Sequence, residues 1–165
     1  MPPTLPGSPE NSNAELASVT AFLEEQTLMS VATLRPDGWP QATSVGFLAQ
    51  WPDIYFVVAR ESQKFQNMVH DPRISMCIVA ATASAGGLSG VSMAALAEEV
   101  TDMPHIVRFD DAMLKRFPRG PMYNPIADAM ALIRAKVQVI SLVRISGARS
   151  HAQLMRVEEG RLVPA

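Results

Sequence analysis

The sequence predicts a mainly β protein, an antiparallel β-barrel of six strands with peripheral helices. Short apolar or alternating runs recur along the chain, and the first three are joined by connections of only a few residues. Parallel crossovers need about a dozen residues or more, so these three strands must be antiparallel neighbours. Only a few separate segments have the residue spacing of amphipathic helices. Closing such a sheet into a barrel removes its exposed edges, which favours that architecture.

A first helix is predicted over residues 13–26. Ser12 and Glu15 have the spacing of a capping box. One face of the segment is apolar and consists of Leu16, Val19, Phe22 and Leu23. The preceding residues 1–12 are rich in proline and lack the basic and apolar regions of a signal peptide, so they are predicted to form a disordered tail. Residues 13–165 are then expected to form a single domain.

Three strands follow as a predicted meander, within residues 29–34, 41–49 and 54–59. The first turn contains Pro36-Asp37-Gly38, in which proline fixes φ and glycine allows a positive φ. The second connection, Trp51-Pro52-Asp53, is equally short. Neither connection leaves room for a helix, which excludes a dinucleotide-binding βαβ unit in this half of the chain.

The second half of the chain alternates helices and strands without an internal repeat. Helices are predicted over residues 62–70, from Pro104 onward, and after Asn124, which can cap a short helix. The Pro104 helix is expected to bury Ile106, Phe109, Met113, Leu114 and Phe117. Strands are predicted over residues 74–80, 91–100 and 137–145, with a continuation at 153–157. Cys77 lies inside the first of these apolar runs and is predicted to be a core residue.

Composition excludes several classes of function. The formal net charge is −2 and the isoelectric point is near 5.9, so no broad basic surface for nucleic acid is expected. The single cysteine excludes an internal disulfide and fits a reducing compartment. No apolar stretch is long enough to span a membrane, so a cytoplasmic protein is expected. No Cys/His pair has the spacing of zinc ligands, and no metal is expected.

The start of the 62–70 helix has the character of an anion site. Its first N–H groups lack intrahelical acceptors and carry the positive end of the helix dipole. Ser62 can cap the helix, and Lys64 lies in the first turn, where a cation opposes the dipole unless an anion docks beside it. An ordinary capped surface helix explains the same two residues, and taken alone they leave both interpretations open.

Two segments around this helix resemble a known family. TLRPDGWPQATSVGF and DIYFVVARESQKFQNMVHDPRISMCI are similar to the FMN-binding split barrel of the pyridoxamine 5′-phosphate oxidase-like superfamily. The resemblance extends over residues 27–147. It implies a split barrel that forms a homodimer, with FMN at the interface and the flavin phosphate near the Ser-x-Lys helix. No convincing nucleophile or acid–base pair is found, so any chemistry is expected to belong to the cofactor.

The resemblance implies that Ser62, Gln63 and Lys64 hold the flavin phosphate. Gln63 stands where the family has an arginine, and an amide supplies neither the charge nor the bidentate fork of a guanidinium. Arg60 could restore that charge if its side chain faces inward. These four residues are therefore the candidate phosphate ligands.

Two strands are implied to contact the rest of the flavin. Val57 and Val58 match the strand that runs beneath it. Thr43 and Ser44 offer hydroxyls, and Val45 a backbone N–H, on the strand that contacts the isoalloxazine and phosphate. Thr43 and Ser44 also fit ordinary polar positions of a strand, and Val57 and Val58 fit the barrel core, so both interpretations stay open for these four residues.

A second, shorter motif concerns the substrate. Arg149-Ser150-His151 echoes an Arg-x-His of the true pyridoxamine-phosphate oxidases, in which it contacts the substrate. The tryptophan and second arginine expected around it are absent, with Val143 and Gln153 near those places. Arg149 and His151 are thus weak substrate candidates, and turnover of pyridoxamine phosphate is not expected.

The function implied by the resemblance is that of an FMN-dependent oxidoreductase acting on an unidentified small molecule. One alternative is a reductase of the same fold that uses the deazaflavin F420, which would require extra basic residues for its longer anionic tail. Another is a protein that binds flavin or haem without turnover. Substrate choice is expected to depend on loops 81–90 and 117–125, which contain no readable motif.

Overall fold

The computed structural model describes residues 9–80, 87–117 and 129–165. These residues form three helices, α1 (Pro9–Glu25), α2 (Gln63–His70) and α3 (Met103–Arg116). The described strands are β1 (Leu28–Leu34), β2 (Pro40–Gly46), β3 (Leu48–Gln50), β4 (Asp53–Ala59), β5 (Arg73–Val79), β6 (Gly90–Glu99), β7 (Met130–Ser146), β8 (Arg149–Glu158) and β9 (Arg161–Pro164). The predicted mainly β class is confirmed, with nine described strands where six were expected.

The strand order shows how the sheet closes on itself. All paired strands are antiparallel, in the order β2-β1-β5-β6-β7-β4-β3, with β8 on β7 and β9 on β8. The path begins with β2 and ends with β3, which are consecutive in the chain and separated only by Phe47. Among the described strands no ladder joins β2 to β3, so a covalent link closes the sheet at this seam.

β7 is the longest of the described strands and belongs to two parts of the sheet. One side pairs with β6 along most of its length, with a bulge between Ala94 and Ala95. The other side is divided, because residues 130–136 pair with β4 and residues 139–146 pair with β8. A bulge bends a strand, which suits the change of direction between the barrel and the β8–β9 extension.

The main core lies inside the sheet. The inner faces of β1, β5, β6 and β7 contribute alternate side chains to it, and α1 and α2 add Val19, Phe22, Leu23, Phe65 and Met68. A smaller cluster lies on the outer face, where Ile106 and Phe109 of α3 pack on Tyr55 and Leu132. The barrel is therefore filled by its own strands and two helices, and α3 covers part of its outside.

Arg116 at the end of α3 caps the end of α1. Its guanidinium donates to the carbonyl oxygens of Glu24 at 2.8 Å and Leu23 at 3.3 Å, and also to that of Gln26. Helix C-termini leave carbonyls unpaired, and a hydrogen bond with a charged group contributes about 1.5–3 kcal/mol. We expect Arg116→Met to lower the free energy of unfolding in urea by about 2 kcal/mol. The exposed neighbour serves as control, and a loss as large for Lys115→Met would contradict capping.

The predicted meander is wrong because the predicted strand 41–49 breaks at Phe47. The ring of Phe47 is fully buried, and its backbone N–H donates to the carbonyl oxygen of Thr27 at 3.3 Å. The chain thereby leaves β2, which pairs with β1, and enters β3, which pairs with β4. Two separate hairpins at opposite ends of the strand order replace the predicted meander.

Three smaller expectations are also wrong. α1 begins at Pro9, so Ser12 lies inside the helix and does not cap it, and residues 9–12 are helical. Cys77 is exposed, because β5 alternates strictly and its apolar run supplies both faces of the sheet. Leu114 is 42% exposed, since the buried residues of α3 are confined to Ile106 and Phe109. The helix expected after Asn124 lies outside the described residues.

Candidate functional site

The start of α2 has the geometry predicted for it. Ser62 is the N-cap with extended backbone angles, and its hydroxyl accepts from the N–H of Phe65 at 3.4 Å. The same hydroxyl donates to the carbonyl oxygen of Ala59 at 2.6 Å, which fixes its orientation. The first turn contains no acidic residue, although the exposed Glu61 precedes the cap. The positive end of the helix is therefore uncompensated by its own first turn.

Lys64 is a half-buried cation beside this helix start. None of the ion pairs between described residues involves Lys64. A half-buried ammonium without a carboxylate partner adds its charge to that of the helix terminus. The first turn of α2 thus combines a positive helix terminus, capped by Ser62, with an ammonium group that has no ion-pair partner among the described residues.

The guanidinium of Arg60 is paired with a carboxylate and packs on a ring of α2. Its guanidinium forms a two-pronged ion pair with Glu99, one bond of which measures 3.2 Å. The guanidinium also lies 5.5 Å from the centroid of the Phe65 ring, within the range of a cation–π contact. Because Glu99 balances its charge, Arg60 supplies less net charge to the α2 start than the sequence suggests. Its role toward a cofactor stays a prediction.

A buried amide network that the sequence analysis missed lies behind α2. Asn67 is fully buried, and its side-chain amide donates to the hydroxyl of Thr33 at 2.9 Å and to the amide oxygen of Gln41 at 3.2 Å. Gln63 in turn donates to the side-chain oxygen of Asn67 at 2.9 Å. The signal in the sequence was an asparagine between Phe65 and Met68, both of which point into the core.

The candidate residues on β2 lie on opposite faces of the strand. Thr43 and Val45 are half-buried and stand opposite Val31 and Met29, whose side chains fill the barrel. The hydroxyl oxygen of Thr43 is buried and has no hydrogen-bond partner among the described residues. Ser44 points to the exposed outer face. Side chains of Thr43 and Ser44 therefore cannot contact the same side of one ligand.

The two valines on β4 are separated in the same way. Val58 is buried in the main core, whereas Val57 packs against the outer cluster beneath α3. The outer cluster also contains Tyr55, whose hydroxyl lies 3.0 Å from Nε2 of His105. Burial raises the pKa of Tyr55, and the charge of Asp53 adds to the effect. This buried phenol is another group that sequence reasoning missed.

The outer face of β1, β5, β6 and β7 carries no charged side chain over its centre. Ser44 lies in one row of cross-strand neighbours that continues through Ser30, Cys77, Ser92 and Ser141. The adjacent row consists of Ala42, Ala32, Ser75, Ala94 and Val139. We call these two rows the small-residue face. Exposed sheet faces are usually polar and charged, so a face of this composition is characteristic of a covered surface.

The motif residues Arg149 and His151 do not reach α2 within one chain. Both are exposed on β8 and pair with Ser146 and Arg144 at the end of β7. The start of β7 lies beside α2, since the N–H of Arg60 donates to the carbonyl oxygen of residue 129. The long strand thus separates the two motifs.

The described part of the chain contains neither a candidate metal cluster nor a helix that could span a membrane. No three His, Cys, Asp or Glu side chains within residues 9–80, 87–117 and 129–165 are grouped so that they could hold a metal ion. None of the helices in these ranges is both long and apolar enough to cross a membrane.

Comparison with known proteins places the fold. The sequence model described as pyridoxamine 5′-phosphate oxidase matches residues 16–144. A haem-binding protein from Mycobacterium smegmatis has a TM-score of 0.67 at 24% identity, over 86% of this chain and 57% of its own. ChuZ from Campylobacter jejuni has a TM-score of 0.72 at 14% identity, over 93% of this chain and 63% of its own. This chain therefore spans less than two thirds of either protein.

A third structure matches over nearly its whole length. An F420 reductase has a TM-score of 0.58 at 24% identity, over 73% of this chain and 93% of its own. No curated protein matches the chain in sequence. At these identities the similar structures establish the fold, and the cofactors named for them differ from one protein to the next.

Proposed function

The chain belongs to the pyridoxamine 5′-phosphate oxidase family, and from this premise we propose that it is a homodimeric FMN-binding oxidoreductase acting on a small molecule. The observation that carries the proposal is the start of α2, where Ser62 caps the helix and Lys64 has no ion-pair partner among the described residues. A helix N-terminus with a cation in its first turn suits a phosphate monoester.

The charge at this site favours FMN over a cofactor with a longer anionic tail. Gln63 is neutral and is hydrogen-bonded to Asn67, and Arg60 is balanced by Glu99. Lys64 and the helix terminus are then the positive groups that face the anion. These two positive groups suffice for one phosphate, whereas a cofactor with several anionic groups would require further cations.

The small-residue face supports a homodimer with the cofactor near its edge. The face includes Ser44 of β2, the strand that α2 reaches through the hydrogen bond between Asn67 and Gln41, and it is flanked by the exposed apolar side chains of Leu28 and Val79. An isologous interface needs a self-complementary surface, and small uncharged side chains allow two sheets to approach closely. A second copy on this face would place Ser44 at the interface.

The residues present fit a bound flavin, and they would bind and orient it. Lys64 and the first N–H groups of α2 would hold the phosphate, with Ser62 fixing the start of the helix. The buried hydroxyl of Thr43, which has no partner among the described residues, offers a further donor or acceptor on β2. Bound FMN would supply the hydride or electron transfer, so no side chain need act as a nucleophile.

Lys64→Ala tests the phosphate contact. We expect it to weaken FMN binding by about 1.5–3 kcal/mol, the range for a hydrogen bond to a charged group, and to leave riboflavin binding unchanged. Titration of the apo-protein with each ligand, followed by flavin fluorescence, measures both affinities. Lys115→Ala on α3 is the matched control. Equal losses for FMN and riboflavin would show that Lys64 does not contact the phosphate.

The absorption spectrum of the purified protein tests the cofactor itself. The two visible bands of oxidised flavin support the proposal, and their bleaching by a reduced substrate under anaerobic conditions supports turnover. A Soret band would identify haem, and a single deazaflavin band would identify F420. Flavin bands that no electron donor bleaches would indicate a protein that binds flavin without turnover.

A further inference from the structure

We propose that Asn67 is a positioning residue for the phosphate site, because its buried hydrogen bonds set the orientation of α2 and thus the location of Lys64. The inference rests on the proposed function and adds to it a residue that does not contact the cofactor. Asn67 and Thr33 are buried polar side chains, and they bond to each other. Burying polar groups is costly unless they are hydrogen-bonded, which explains why these two are paired. Their presence in the core suggests a role that apolar residues could not fill.

The network joins the helix to the hairpin β1–β2. Thr33 and Gln41 stand directly opposite each other in the ladder, and the amide nitrogen of Asn67 donates to both. The amide oxygen of Asn67 accepts from Gln63 in the first turn of α2. One side chain is therefore bonded at the same time to two strands and to the start of the helix.

Apolar packing alone would fix α2 less tightly. Phe65 and Met68 bury their side chains in the main core, but apolar contacts are non-directional and tolerate small rotations of a helix. Hydrogen bonds weaken steeply once their angles deviate, so three of them on one side chain define both the rotation and the depth of α2. Lys64 lies three residues before Asn67, on the adjoining part of the helix surface, and would move with any such rotation.

The same network reaches the strand proposed to border the flavin ring. Gln41 and Thr43 are two residues apart on β2 and share its inner face. The hydrogen bond between Asn67 and Gln41 thus fixes the distance between the phosphate end of the site on α2 and the hydroxyl of Thr43. A cofactor that bridges the two elements needs this distance to be constant.

The test compares FMN with riboflavin, because a merely structural residue would affect both ligands alike. We expect Asn67→Leu to reduce the preference for FMN over riboflavin by about tenfold, while riboflavin affinity stays within about twofold. Thr33→Val removes one bond of the network with little change of shape, and should reduce the preference by a smaller factor. Met68→Leu, a buried and volume-conserving change on the same helix, is the control and should retain the preference.

The outcomes separate this inference from the proposed function. Wild-type protein that binds FMN no better than riboflavin would refute the phosphate site, and this inference with it. Wild-type preference that survives in Asn67→Leu would refute the positioning role alone. An equal loss of both affinities would assign Asn67 to stability only. If Asn67→Leu does not fold, Thr33→Val decides the matter, and an unchanged preference in that variant overturns the inference.

Discussion

Ala94→Arg is expected to convert the protein into a monomer and to abolish tight FMN binding. Ala94 is exposed on β6, in the centre of the small-residue face, where it pairs with Ser75 on one side and Val139 on the other. In a two-fold dimer the substitution would place two guanidinium groups at one interface. Burying unpaired charge of this kind should weaken association by at least about 4 kcal/mol, or a thousandfold.

Sedimentation at micromolar concentration measures the assembly, and FMN titration of the same samples measures the cofactor. Ala17→Arg is the matched control, because Ala17 is exposed on α1, outside the sheet. In the isolated chain an arginine at position 94 would point to solvent, so the fold should be retained. A variant that stays dimeric would remove this face from the interface. A monomer that still binds FMN tightly would contradict the proposed architecture.

Phe109→Ala is expected to lower the free energy of unfolding by about 3–5 kcal/mol, the usual cost of deleting a buried aromatic ring. Phe109 is 2% exposed, and its ring centroid lies 6.1 Å from that of Tyr55. Together with Ile106 it holds α3 on the outer faces of β4 and β7. Without the ring a cavity would remain over Leu132, which is fully buried there.

Urea denaturation measures this loss, and Leu114→Ala is its control on the same helix. Leu114 is 42% exposed, so its truncation should change stability by no more than about 0.5 kcal/mol. Losses below about 1 kcal/mol for Phe109→Ala would mean that α3 contributes little to the packed structure. Similar losses in both variants would indicate that burial in the outer cluster does not determine the effect, since alanine itself favours the helix.

Local chemistry explains which parts of the fold were predictable. Gly38 has a φ of +87°, as the Pro-Asp-Gly turn requires, and the cap at Ser62 matches the predicted start of α2. Both depend on residues that are neighbours in the chain. The pairing of β4 with β7 depends instead on residues that are distant in the chain, since Ala59 stands opposite Met130. Nothing in either segment specifies the other, so the strand order could not be predicted.

The candidate site was predictable to the same extent. A short motif indicated Ser62 and Lys64, and their local geometry is as expected. The sequence could not show that Arg60 pairs with Glu99, which follows it by many residues on another strand. The position of Asn67 between Phe65 and Met68 indicated burial, but its hydrogen-bond partners on β1 and β2 are distant in the sequence and could not be predicted. The contribution of each predicted residue to the site therefore depends on tertiary partners, which neutralise the charge of some side chains and fix the orientation of others.

The division of β7 between two partner strands has a consequence for the order of assembly. During synthesis β4 emerges long before β7, and until then the β3–β4 hairpin has no sheet to join. Pairing β4 with β7 closes a loop that contains all residues between the two strands. The conformational entropy of this loop is lost before the new hydrogen bonds stabilise the chain. Topologies dominated by such distant pairings fold slowly. α2 follows β4 directly in the chain. The strand that precedes α2 can therefore join the sheet only after β7 has been synthesised.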